Sequence, residues 1–291
     1  MQIGVVYPQT ELPVDPGAVC AYVAAVEQLG YRHILAYDHV LGADPAAYPN
    51  WSGPYDIDTT FHEPLVFFGF IAGFAKLELV TGVIIAPQRQ TALLAKQAAE
   101  VDILSGGRFR LGLGIGWNWV EYEALGQDFA TRGRREEEQI ALLRALWTER
   151  SVSYQGHFDR VSGAGIAPLP AQRPVPIWLG GQSEPAYRRI GRLADGWFPQ
   201  VQPGPELDHA RAVIAEAALG ADREPGVLGM EGRVSVATGG AQAAVEQVHR
   251  WEDAGATHVS INTMGAGLAG VEDHQKVLSD VADGLGLRQE Q

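Results

Sequence analysis

The stretch VDILSGGRFRLGLGIGWN at residues 101–118 constrains the fold of this chain more than any other. It reads as the end of an amphipathic helix, a Gly-Gly turn, a short buried strand and a glycine-rich exit closing on Trp117-Asn118. A strand of Phe109, Leu111 and Leu113 followed and interleaved by Gly112, Gly114 and Gly116 leaves water nothing to solvate, so it is not half-solvated. Its side-chain-free positions imply that something approaches the C-terminal end closely. In a chain of alternating strands and helices, ligands bind at the C-terminal ends of the parallel strands. The search for a site therefore begins at 114–118.

The alternation is present along the whole sequence. Apolar runs at 3–7, 33–36, 77–85, 109–114, 177–179, 196–198, 233–237 and 258–261 read as strands. Helical spacing follows at 16–29, 63–74, 93–104, 132–147, 184–193, 206–219, 241–254 and 271–285. Eight such units with right-handed crossovers close into a (β/α)8 barrel. The 42–62 stretch is rich in Pro, Gly, Trp, Tyr and Asp, and is long for a strand-to-helix connection, so it reads as a lid. Residues 151–176 break the rhythm with YQGHF and the proline-dense PLPAQRPVP, which predicts an insertion made of a hairpin and an extended arm. An open doubly wound sheet is the rival, but it needs a phosphate loop after its first strand, where Pro8-Gln9-Thr10 stands.

Composition narrows the partners. At 291 residues the chain fits one barrel domain with decorations. A formal charge of −13 without any dense Lys/Arg run argues against nucleic acid or an anionic membrane and leaves small molecules. Cys20 stands alone, no signal-like start is present, and the most apolar window, 65–75, is too short to span a bilayer, which together predict a cytoplasmic protein.

Four strand exits carry candidate chemistry. Asp38-His39 can position a ring system and offer a proton carrier, since imidazole titrates near neutrality; the plain alternative is a turn cap beside a loop histidine. Thr81-Gly82-Val83 places a glycine inside a strand, as at a bulge under a flat ligand or at a simple barrel bend. Gly180-Gly181-Gln182-Ser183 opens a helix, where exposed N–H groups and the helix dipole suit a phosphate, or where Ser183 is an ordinary cap. Gly116-Trp117-Asn118 closes the fourth strand, and Trp117 is expected to face the pocket. The aromatics Tyr48, Trp51, Tyr55 and Trp119 serve equally as pocket frame or as lid and core material. Arg188, Arg189 and Arg192 form a charged helix face, one of which could reach an anion. His62-Glu63 would be needed for a metal site, and its spacing matches no compact metal motif, so none is expected.

These residues, with LVTGVIIAP (79–87), AKQAAEVDILSGGRFRLGLGIGWNWVEYEALG (95–126), Arg132-Gly133 and PIWLGGQSEPAYRRIGRLADGWFP (176–199), resemble the luciferase-like monooxygenase superfamily, in its branch of F420-dependent oxidoreductases. The resemblance runs from about residue 3 to 198, and beyond about 205 only the strand–helix rhythm matches. It implies a flavin-type ring across the barrel mouth with its phosphate near Gly180, Gly181, Gln182 and Ser183. It also implies a non-prolyl cis peptide at Gly82-Val83 behind the ring, with Thr81, Gly116, Trp117 and Asn118 as further cofactor contacts. Asp38 would touch the polar edge of the ring and His39 would be the catalytic residue beside the reacting carbon. In the sugar-phosphate dehydrogenase of this family a glutamate acid occupies the position of Trp117, so the substitution points to an apolar substrate instead.

The expected activity is hydride transfer between the deazaflavin coenzyme F420 and a small organic substrate held under the lid, with His39 moving the accompanying proton. An FMN-dependent monooxygenase is the alternative, and a flavin-binding protein without turnover is a third reading. A homodimer is expected by resemblance.

Overall fold

The computed structural model describes residues 1–289. In chain order its elements are β1 (Gln2–Val6), α1 (Pro16–Gln28), β2 (His33–Ala36), α2 (Pro64–Ala72), β3 (Glu78–Thr81), β4 (Ile84–Ile85), α3 (Thr91–Leu104), β5 (Phe109–Gly114), α4 (Trp119–Ala124) and α5 (Arg132–Thr148). The second half continues with β6 (Val152–Gln155), β7 (Arg160–Ala164), β8 (Ile177–Gly181), α6 (Glu184–Leu193), β9 (Gly196–Pro199), α7 (Pro205–Leu219), β10 (Gly229–Ser235), α8 (Gly240–Asp253), β11 (His258–Asn262) and α9 (Val271–Leu285).

Helices begin where local chemistry directs. Asp15 and Glu63 accept hydrogen bonds from the backbone N–H groups of Ala18 and Val66, and each is followed by proline, whose fixed φ suits the first helical position. The strands pair in parallel in the order β3-β2-β1-β11-β10-β9-β8-β5-β4, and β3 also pairs with β5, which closes the ring. Because β3 and β4 are two halves of one barrel strand, the ring has eight members, as the alternation predicts. The strand expected to run unbroken over 77–85 is interrupted at Gly82-Val83, whose peptide bond is cis. Val80 faces Arg110, whereas Ile84 faces Leu113, so four residues on one side oppose three on the other. That mismatch is a β-bulge, and it turns the backbone inward at the barrel mouth.

Side chains alternate across the wall. Phe109, Leu111 and Leu113 point outward and join Leu94, Ala98, Leu143 and Trp147 in the main core between strands and helices. Val6, Leu35, Val80, Trp178 and Phe198 form a separate cluster. Gly112 sits opposite the bulge, where a Cβ would lie 1.9 Å from the carbonyl oxygen of Thr81, so any side chain there would prise the two strands apart. The 151–176 insertion is the antiparallel hairpin β6–β7 followed by an arm without regular structure. The long 42–62 loop contains neither strand nor helix and is pinned to itself by the bond from Ile57 N to Ala43 O and from Trp51 Nε1 to Tyr55 O.

Beneath the mouth lies a buried ionic group that sequence reading missed. Arg110 donates to Glu231 at 2.6 Å and to both carboxylate oxygens of Glu78 at 3.0 Å, while its guanidinium stacks on Trp178 at 4.1 Å. His33 reaches Glu231 at 3.1 Å and Ser260 at 2.9 Å. Burial opposes ionisation of Glu231, but Arg110 and the bonds around it outweigh that and hold its carboxyl well below the usual range. His258, pressed by burial and by Arg110, is lowered to about 4. Among the described residues no helix is long and apolar enough to cross a membrane.

Candidate active site

At the C-terminal end of the barrel the strand exits surround an open cavity of about 980 Å³. Asp38, His39, Gly82, Val83, Gly116, Trp117, Gly180, Gly181, Gln182 and Ser183 all line it, so residues up to 145 positions apart in sequence share one space. Thr81 and Asn118 do not. The Thr81 hydroxyl bridges the N–H and C=O of Gly112 at 2.8 Å each, tying β3 to β5 just before the bulge. Asn118 caps α4 by accepting from Val120 N and Glu121 N, and its amide donates to Leu41 O, which anchors the loop after His39. Both residues support the cavity from behind.

His39 is built as one half of a pair. Its Nδ1 lies 3.1 Å from Glu121 Oε1, and the same oxygen accepts from the backbone N–H groups of Val40 and Leu41. Gln88 donates to the other carboxylate oxygen at 3.1 Å. Burial disfavours the charge on Glu121, yet the His39, Gln88 and Leu41 bonds overcome it and keep the carboxyl below its ordinary range. An ionised carboxylate only accepts, so Nδ1 of His39 carries the hydrogen and Nε2 is the nitrogen left for other partners. The imidazole is walled by Phe61 at 4.6 Å, Tyr55 at 5.1 Å and Trp117 at 5.5 Å between ring centroids. All three rings of this wall come from the lid loop or the fourth strand exit.

Asp38 takes a different part from the one expected. Its carboxylate is fully engaged: Arg89 donates to both oxygens at 2.6 and 2.8 Å, and Ile85 N donates at 2.9 Å. It lines the cavity but fixes β4 just beyond the bulge. Burial alone would lower the Arg89 pKa, and the Asp38 charge more than offsets it, raising the value further. His62 and Glu63 stay apart from the cavity: His62 stacks on Phe67 at 4.9 Å, with its pKa lowered by burial, and Glu63 caps α2.

At the far side, Gly181 has φ +153° and Ser183 starts α6 without a side-chain cap bond, so the N-terminal end of that helix, whose Pro185 carries no N–H, meets the cavity at Ser183 and Ala186 with no side chain capping it. Arg132 lines the same space, with its guanidinium over the Phe129 ring at 3.7 Å. The arginines of α6 are occupied elsewhere: Arg188 pairs with Glu184, Arg189 with Glu136 and Glu137, and Arg192 with Glu137. Arg233 adds a second cavity-lining guanidinium, bonded to the Tyr37 hydroxyl and to Gln200. Glu121, Arg89 and Arg233 were absent from the candidates named from sequence, because each acts through a partner distant in sequence, and Arg132 stood there only as part of a motif, without a role.

Known proteins resemble this chain over part or all of its length. An uncharacterised protein of Mycobacterium tuberculosis is 36% identical over 181 residues, 60% of this chain and 58% of that protein. An F420-dependent hydroxymycolic acid dehydrogenase of the same organism is 28% identical over 257 residues, covering 86% of this chain and 66% of its own length. An FMNH2-dependent dimethylsulfone monooxygenase of Pseudomonas putida is 32% identical over 148 residues, 50% of this chain and 40% of that protein. The chain therefore spans 58%, 66% and 40% of these curated relatives. Among solved structures, an F420-dependent secondary alcohol dehydrogenase in complex with an F420-acetone adduct superposes with a TM-score of 0.79 at 14% identity, over 99% of both chains. A monooxygenase from Streptomyces bottropensis gives 0.75 at 18% identity over 98% of both, and at such identities the likeness is one of fold. The model of the family described as luciferase-like monooxygenase matches residues 1–280, which takes in all eight barrel strands and every exit around the cavity, and the chain belongs to that family.

Proposed function

We propose that this chain is an oxidoreductase that passes a hydride between coenzyme F420 and a small organic substrate with an apolar body, with FMN as the alternative coenzyme. The observation that carries the reading is the His39–Glu121 pair, set in an aromatic wall at a cavity that also holds the bulge and an open helix N-terminus. Of the two relatives named for a coenzyme, the F420-dependent one matches over 257 residues and the FMNH2-dependent one over 148, which favours F420.

The residues fit such a coenzyme. A cavity of about 980 Å³ is at the upper end of the usual size of cofactor sites. Glycines keep its wall flat: a Cβ at Gly114 would come within 2.6 Å of Val83, and one at Gly116 within 2.9 Å of Ile85. The open N-terminus of α6 and the Arg132 guanidinium form a donor set that suits a phosphate. Gly82, Val83, Gly116 and Trp117 would then hold the ring, and Gly180, Gly181, Gln182 and Ser183 its anionic tail, with Asp38, Thr81 and Asn118 bracing the wall.

A bound deazaflavin or flavin supplies the two-electron hydride chemistry. The protein orients the substrate, excludes water and moves the proton. Glu121 holds the imidazole so that Nε2 of His39 takes the proton from an alcohol oxygen as hydride leaves carbon, or returns it in the reverse direction. The carboxylate stabilises the imidazolium formed in that step, and Tyr55, Phe61 and Trp117 keep bulk water from it.

The α2 surface supports a further expectation. Val66, Phe70 and Phe74 recur every four residues and are 70%, 45% and 42% exposed, and Gly69 between them leaves open space. A second copy of the chain covering this stripe accounts for apolar area that a monomer seldom leaves wet.

Titration of the purified protein with F420 and with FMN, followed by calorimetry, tests the proposal. Saturable binding of one of them, with reduction by alcohols or oxidation by enones, is expected. Binding of neither removes the oxidoreductase reading.

A further inference from the structure

Outside the cavity that holds His39, the lid loop encloses a second cleft of about 670 Å³ lined by residues 47–54 with Trp117 and Trp119. No charged side chain lines it. Its frame is four rings. Tyr48 stands edge-on to Trp119 with centroids 5.3 Å apart and tilted against Trp51 at 6.4 Å. Trp51 in turn leans on Trp117 at 5.6 Å. The Trp51 ring is fixed by its bond to Tyr55 O, and Gly53 lets the backbone pass against both indoles: a Cβ there would stand 2.4 Å from Trp117 and 2.6 Å from Trp51.

Trp117 and Pro54 belong to both spaces, so the outer cleft and the His39 cavity share a wall. Trp117 separates them by a single ring, 5.5 Å from the His39 imidazole. Such a concentration of partly exposed aromatic surface is costly to leave in water, and it faces a concave space rather than a flat surface.

We infer that the outer cleft is a second substrate subsite, which receives a planar aromatic or conjugated ring joined to the carbon that reacts beside His39. This rests on the oxidoreductase reading above. Ring faces and edges arranged at these angles offer offset and edge-on contacts to another flat ring. A cationic occupant would lack a carboxylate partner, and a sugar would find no charged side chain, only the neutral Tyr48, Asn50 and Ser52 side chains and three indole N–H groups, one already bonded to the Tyr55 carbonyl. The cleft volume lies within the usual range for a small-molecule site. A linker on the order of three or four bonds spans the distance from the Trp117 ring to His39.

Calorimetric titration of the full chain, carrying whichever of F420 or FMN it binds, compares two probes: 3-penten-2-one, and 4-phenyl-3-buten-2-one, in which phenyl replaces the terminal methyl. The phenyl probe is expected to bind about tenfold more tightly to the wild-type protein, from ring contacts and burial together. Tyr48→Ala and Trp51→Ala should each remove most of that advantage and leave the dissociation constants of the small probe and of the coenzyme within about twofold. Trp51→Phe, which keeps a ring, should retain the advantage and guards against a collapsed loop. Equal affinity of the two probes in the wild type, no effect of either alanine variant, or tighter binding of benzyltrimethylammonium than of the phenyl probe overturns the inference. Failure of both coenzymes to bind overturns the oxidoreductase reading instead, and the same probes titrated into the coenzyme-free chain then test the aromatic cleft by itself.

Discussion

Replacing Glu121 by Gln removes one charge from the centre of the site while keeping its shape. The wild-type carboxylate accepts from His39, Val40, Leu41 and Gln88, and its side chain is 1% exposed. An amide oxygen can still accept three of those bonds, and Gln88, whose own Oε1 is buried without a partner, can rotate to receive the new NH2 group. The imidazole is therefore held in place, and what is lost is attraction to the imidazolium that forms when His39 takes a proton. At about 4 Å and an effective dielectric near 20 that attraction is about 4 kcal/mol. With about half the charge developed in the transition state, about 2 kcal/mol is lost, or about 30-fold in kcat. The assay is steady-state oxidation of a secondary alcohol or reduction of an enone, alongside the coenzyme dissociation constant, which should not change. Because folding depresses the Glu121 pKa, its contribution to stability is present above the ordinary carboxyl range and fades as pH falls through the lower folded value. The variant should lack that part of the acid limb in thermal melts. A kcat within twofold of wild type, or a loss that appears wholly in coenzyme affinity, refutes the assignment of Glu121 as the residue positioning and charging His39.

His39→Ala should lower kcat by about 10²- to 10⁴-fold with coenzyme affinity unchanged, and equal turnover would end its catalytic assignment. Gly112→Ala drives a methyl to 1.9 Å of the Thr81 carbonyl oxygen, so a destabilisation of at least about 3 kcal/mol is expected in urea unfolding, against the 1–3 kcal/mol of ordinary overpacking. Arg110→Met leaves Glu231 buried beside an apolar side chain and should cost about 3–5 kcal/mol. Because Arg110 and its neighbours depress the Glu231 pKa, the wild type's advantage should be full at neutral pH and shrink as acid protonates Glu231; a pH-independent difference would contradict this. Phe70→Asp on the exposed α2 stripe should shift the molar mass in light scattering from dimer to monomer, and an unchanged mass would remove that face from the proposed contact.

The strand–helix rhythm was legible because helix and strand periodicity are written into neighbouring residues. The same holds for the hairpin in 151–176 and the meaning of the glycines in β5, whose bare positions turn to the barrel interior while Phe109, Leu111 and Leu113 face the helices. That the exits at Asp38-His39, Gly82-Val83, Gly116-Trp117 and Gly180 to Ser183 border one cavity follows from the same rhythm, since parallel strands in a closed barrel all end on one rim.

What the side chains do on that rim was another matter. His39 meets Glu121 from 82 residues away, Asp38 spends its carboxylate on Arg89, and Arg110 joins Glu78 and Glu231 across the barrel. Thr81 and Asn118 have residue types that suit a ligand, yet their polar groups answer backbone N–H and C=O groups instead. Sequence alone determined the order of the elements and which ends carry chemistry, because those depend on local spacing and turn preference. Only the closed barrel decided the pairings, because the ring of eight strands and the one-residue slip at Gly82-Val83 set which distant side chains come within hydrogen-bonding reach of one another.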